Sequence, residues 1–153
     1  MVRRYVSFVA IGFFLLAALS GAASHAQSRV NDKDLARLIQ NIKNDAQPFS
    51  KSFATALKKS TIRGTSQEKD ARGLGETFEK QSKQALDTFK KRGQAEDQVA
   101  AMVDTAGQID KLVSSLGLTP ATAQQWEKLR TELHQVAQAF NVPEPYLQSR
   151  PGA

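Results

Sequence analysis

Residues 35–57, LARLIQNIKNDAQPFSKSFATAL, decide the fold. Within them Leu35, Ile39, Ile42, Ala46, Phe49, Phe53 and Ala56 recur in alternating steps of four and three, with Leu38 and Leu57 beside the stripe. An α-helix turns once every 3.6 residues or so, so this spacing gathers the apolar side chains on one face; a face this long and continuous is the seam of a helical bundle. Ahead of the stripe, Asn31 predicts an N-cap, and Val30 can pack on Leu35 as a hydrophobic staple. Pro48 removes one backbone donor and crowds the preceding turn. Because the rhythm passes through Ala46, Phe49 and Phe53 without slipping phase, the spacing predicts one long helix over about 32–59, kinked near Pro48.

Three further segments repeat the pattern. Thr65 followed by Glu68 reads as a capping box that opens a second helix over about 66–91, after a turn containing Gly64. Its core face, Ala71, Leu74, Gly75, Phe78, Ser82, Ala85, Leu86 and Phe89, is rich in small residues. Gly73 and Gly75 each cost about 1 kcal/mol relative to alanine, which predicts an easily deformed first half. Lys90, Lys91 and Arg92 close this helix beside Gly93, and Glu96 and Asp97 stand in the first turn of the next; both patterns complement helix dipoles. The third helix, about 95–116, carries Val99, Met102, Ala106, Ile109, Val113 and Leu116. Thr119 then caps a fourth, about 120–140, with Pro120 at its first position and Trp126, Leu129, Leu133, Val136 and Phe140 on its seam. Trp126, at an end of the bundle, is expected to extend its indole N–H to solvent or to a carbonyl. Connections this short make sequential helices neighbours, so the expected architecture is an all-α, up-down-up-down antiparallel four-helix bundle.

Outside the bundle, Arg3 and Arg4 precede an apolar run from Tyr5 to Leu19 and a small-residue stretch ending Ser24-His25-Ala26. These are the n-, h- and c-regions of an export signal, expected to be cleaved after Ala26. The chain is thus expected to be exported, to the periplasm or outside the cell, and to touch a membrane only if the signal stays uncleaved as an anchor. Cleavage leaves 127 of the 153 residues, enough for one bundle domain over 27–142, followed by a Pro-rich tail, 143–153, expected to be disordered. The chain contains no cysteine, so it has no disulfide, thiolate metal site, covalent haem or lipid attachment. Losing Arg3 and Arg4 lowers Lys plus Arg from 21 to 19 against 15 acidic residues, a net charge of +4. That balance falls short of a clustered nucleic-acid footprint, and no nucleic-acid partner is expected.

Bundles can house metal or haem. Di-iron sites need two Glu-x-x-His elements on facing helices, whereas the mature chain has one histidine, His134, and Thr131 stands three residues before it. No metal site, no catalytic residue and no cofactor are therefore expected. The formal exception is a noncovalent b-type haem held by His134 and Met102; yet His134 flanks its seam among Glu127, Arg130 and Gln138, and methionine at helical spacing is ordinarily core filler. Asp104, Asp110, Glu127 and Glu132 read as a solvated face and not as acid-base pairs. The basic clusters Lys58, Lys59, Arg63 and Lys90, Lys91, Arg92 should lie at opposite poles of the bundle, complementing dipoles.

Taken together, Val30-Asn31-Asp32, Ile109-Asp110, and the stretch from Trp126-Glu127-Lys128-Leu129-Arg130 through Leu133 to Ala139-Phe140-Asn141-Val142 resemble a family of uncharacterised exported bacterial four-helix proteins without an assigned activity. The resemblance covers about residues 29–142 and carries over no catalytic residue. The expected function is that of a non-enzymatic exported bundle acting as a protein-interaction or structural module of the cell envelope. The alternative is a small-ligand or haem carrier using space beside Ser82, Ala85 and Met102; a carrier should enclose an apolar pocket, whereas an interaction module should have a filled core and an exposed apolar patch.

Overall fold

The computed structural model describes residues 31–144; the segment expected to be an export signal and the tail beyond Glu144 lie outside the described residues. Four helices follow one another: α1 (Asp32–Leu57), α2 (Ser66–Arg92), α3 (Glu96–Ser115) and α4 (Pro120–Ala139). Among the described residues there is no strand.

The caps explain the boundaries. Asn31 accepts from the Lys33 amide at 3.1 Å, and Thr119 accepts from the Thr122 amide at 3.4 Å with Pro120 at the first turn. Helix α1 stops at Leu57, two residues before its expected end, because the amides of Lys59 and Ser60 turn back to Ala56 and Leu57 in tight three-residue steps. The capping box opening α2 is rearranged. The Glu68 amide donates to Thr65 Oγ1 at 3.3 Å, but the Glu68 carboxylate accepts from Gly64 at 2.7 Å, since the Thr65 amide is already bonded to Ile62. Gly93 ends α2 in the left-handed conformation, φ 70°, which is why the chain can reverse there within three residues.

Helix α1 continues unbroken through Pro48. It packs on both α2 and α4, and α3 completes the square against α2 and α4. Residue pairs reveal the directions. Gln40 meets Lys90 while Ser50 and Phe53 meet Gly75, and Asp45 meets Lys128 while Ser52 meets Thr122. In each pair of helices rising numbers on α1 face falling numbers on the neighbour, so α1 runs opposite to both.

One core joins all four helices, and every seam residue read from the three-four rhythm is buried or half-buried. At its centre Phe49 stacks on Phe53 at 5.3 Å and lies 5.1 Å from Trp126, which meets Phe78 edge-on at 5.9 Å. Such offset and edge-on pairs add about 0.5–1.5 kcal/mol each to the burial of the rings. Gly75 lets α2 approach α1 closely: a Cβ there would stand 3.4 Å from both Phe53 Cδ1 and Ser50 Oγ.

Candidate functional site

The densest polar constellation joins α3 to α4. Asp110 Oδ1 accepts from Trp126 Nε1 at 2.9 Å and pairs with Arg130 Nε at 3.2 Å, while Arg130 Nη1 pairs with Glu127 at 2.8 Å. The side chains of Asp110 and Arg130 are only 13% and 10% exposed, so the expected solvated face does not hold for Asp110. Nor does Trp126 reach solvent or a carbonyl: it is fully buried and bonds a carboxylate from the next helix. The physical reason is position. Trp126 and Arg130 stand one turn apart on the flank of α4 that Asp110 approaches, and a buried guanidinium needs a carboxylate partner. Their groups compensate one another across a helix interface, which is the work of a clamp between helices.

A second polar pair joins α1 to α4. Lys128 Nζ lies 2.7 Å from Asp45, whose hydrogen bond and charge hold the lysine above its ordinary pKa. One turn along, half-buried Glu132 departs from the expected solvated face as well. Burial first, and then the negative charge of Asp45, hold its carboxyl above the ordinary carboxylate range, against the opposing pull of Lys128.

The two haem candidates occupy different environments. Met102 is fully enclosed in the core. His134 is 41% exposed at the edge of α4; its Nδ1 pairs with the buried Glu144 carboxylate and its Nε2 lies 3.0 Å from Gln138 Nε2. Both ring nitrogens therefore have protein partners, which leaves neither directed at Met102. Ser82 and Ala85 are likewise fully enclosed, and Ser82 donates to the Glu79 carbonyl at 2.7 Å within its own helix. Among the described residues, no group of three or more His, Asp or Glu could hold a metal ion.

A recess of about 310 Å³ opens where the last third of α1 meets the start of α4, lined by Lys51, Ser52, Thr55, Ala56, Lys59, Thr119 and Thr122. A hydroxyl chain forms its floor: Ser52 to Thr122 and Thr122 to Thr119, each at 2.9 Å. Lys51 and Lys59 are exposed at its rim. The recess offers hydroxyls and ammonium groups but no base to activate a nucleophile.

Net charge concealed how the charges are sorted. Residues 31–93, holding α1 and α2, contain 14 Lys and Arg against 8 Asp and Glu; residues 94–144, holding α3 and α4, contain 3 against 7. The hairpins thus carry +6 and −4. On α1 the row opposite the seam is Lys33, Arg37, Gln40, Asn44, Gln47, Lys51, Thr55 and Lys58, spaced by threes and fours, with four cations and no acid. All of these are exposed except half-buried Gln40, which accepts from Lys90 at 3.5 Å and so ties the row to the outer side of α2. The same periodicity that located the core would have found this row, had the polar face been read as closely as the apolar one. The two basic clusters do fall at opposite ends: Lys90 faces Gln40, roughly 27 Å along α1 from Lys58 at 1.5 Å per residue.

Comparison with protein-family models, with curated proteins and with solved structures returns no match.

Proposed function

We propose that this chain is an exported, non-enzymatic binding module that contacts its partner through charged and polar surface. The observation that carries this reading is the withdrawal of apolar surface. Every Leu, Ile, Val, Met, Phe and Trp among the described residues is buried or half-buried, while Lys, Arg, Asn and Gln line the outer face of α1. An apolar docking patch, the form of interaction module first expected from the sequence, would need such residues exposed. A carrier would need space in the core beside Ser82, Ala85 and Met102, and those side chains are fully enclosed. A module of this kind meets its partner through long-range charge and surface hydrogen bonds, so its association is fast and sensitive to salt.

The test uses the chain beginning at Gln27, which keeps all four helices, immobilised and exposed to an envelope fraction. Specific retention at 50 mM NaCl with release at 1 M is the expected result. Retention that survives 1 M salt, or a small molecule that raises Tm while nothing is retained, overturns the proposal in favour of apolar docking or a carrier.

A further inference from the structure

Resting on that reading, we infer that the outer face of the α1/α2 hairpin is a docking surface for an anionic phospholipid headgroup layer, on which the bundle lies flat without inserting.

The argument begins with the shape of the charge. Helices of 26 and 27 residues lie side by side for about 40 Å at 1.5 Å per residue. Along α1 the outer row presents Lys33, Arg37, Lys51 and Lys58, Arg37 being ion-paired with Asp34 at 3.3 Å, and along α2 Lys69, Lys80, Lys83 and Lys91 are exposed; the exposed acids Asp32, Asp34, Asp70, Glu76 and Asp87 dilute these cations. The Lys90–Gln40 bond, at 3.5 Å, bridges the two rows at one point. Such a face concentrates cations over an extended plane, whereas a small acidic ligand could meet only a few of them at once. A lipid headgroup layer meets them all together.

The absences on this face, among the described residues, also select the partner. No aromatic side chain is exposed, so the stacking platform that single-stranded nucleic acids use is missing. No large apolar side chain is exposed, so nothing would enter the acyl region. No described helix is long and apolar enough to cross a membrane. The apolar stripes that would make α1 or α2 an inserting interfacial helix are already used against α3 and α4. What remains is adsorption by charge, with the −4 balance of residues 94–144 turned away from the lipid.

Each Lys or Arg held at an anionic surface strengthens partitioning about five-fold, and the attraction vanishes as the Debye length falls from about 10 Å at 0.1 M salt to about 3 Å at 1 M. The experiment is vesicle co-sedimentation of the chain beginning at Gln27, with equal parts phosphatidylglycerol and phosphatidylcholine compared with phosphatidylcholine alone. Two triple variants change net charge by the same three units. One is Lys58→Gln, Lys80→Gln and Lys83→Gln on the proposed face; the other is Gln108→Glu, Gln124→Glu and Gln135→Glu on exposed positions of α3 and α4, with circular dichroism verifying that both stay helical. The expected result is binding to anionic vesicles only, lost at 1 M NaCl, about 100-fold weaker in the first variant and less than about 5-fold weaker in the second. Equal binding to neutral vesicles, or equal weakening by both variants, overturns the proposal. Polyphosphate or a DNA duplex, titrated without vesicles, separates the two levels of inference: salt-sensitive binding to either with none to vesicles rejects the lipid layer but retains the charge-mediated module. No salt-sensitive binding to vesicles, to either polyanion or to the envelope fraction rejects both.

Discussion

The two helix pairs on either side of the core are held by opposite means. Where α1 meets α2, the contact is close: Gly75 brings the α2 backbone against Ser50 and Phe53. Where α3 meets α4, a bulky indole and a guanidinium converge on one carboxylate, Asp110. The first joint works by removing side chains at Gly75, and its helices' outer faces are tied by the Gln40–Lys90 bond. The second works by adding directional polar groups, which specify where along α3 the fourth helix must sit. The comparison teaches that one bundle can combine a joint made by close backbone approach with a joint whose register is fixed by a buried polar clamp.

The most damaging way to break this contrast is Trp126→Ala, which removes the ring shared by Phe49, Phe78 and Asp110. A loss of about 3–5 kcal/mol is expected, read as a lowered urea midpoint at unchanged m. Asp110→Ala attacks only the polar half of the joint. It leaves a buried indole N–H and a buried guanidinium without their shared carboxylate, for an expected loss of about 2–4 kcal/mol. A double-mutant cycle with Trp126→Phe should return a coupling of about 0.5 kcal/mol or more; a value near zero would show that the hydrogen bond to Asp110 does not hold the joint.

Much of this fold was legible because periodicity and caps are local. Leu35 through Ala56, the Thr119-Pro120 start of α4 and the Gly93 stop of α2 each announce themselves within a few residues. The clamp was not legible in the same way. Nothing near residue 110 signals that Asp110 will meet a tryptophan on the next helix, so Asp110 reads as one more surface acid. The charged face is a different case. Lys33, Arg37, Lys51 and Lys58 were visible at helical spacing, but a single net charge averaged them against acids that fold onto the other hairpin.

At the α1/α2 joint the expected effects are smaller and differ in sign. Gly73→Ala meets open space and should stabilise by about 1 kcal/mol through helix propensity alone. Gly75→Ala gains the same propensity but sets its methyl 3.4 Å from Phe53 and Ser50, so its net gain should be clearly below that of Gly73→Ala in parallel thermal melts. If the two substitutions stabilise equally, α1 and α2 are not joined by close approach at Gly75.

The smallest effect is expected from Glu132→Gln beside Asp45, and it is pH-dependent. A carboxyl whose pKa is raised on folding contributes its full stability below its unfolded pKa and loses it as pH rises through the folded value. Wild type should therefore fall behind the glutamine variant at pH 7, with the gap closing below the ordinary carboxylate range, near pH 4. Tm measured across that interval checks the sign.

The opposed directions of α1 and α4 have a topological consequence. With Asp45 beside Lys128 and Ser52 beside Thr122, the register continues to place the beginning of α1 next to the end of α4, where Glu144 is docked on His134. The described chain therefore enters and leaves the bundle at one pole. A circular permutant that links Glu144 to Asn31 by a few glycines and opens the chain at the exposed Gly64 turn would retain every helix, every interhelix pair and the entire core.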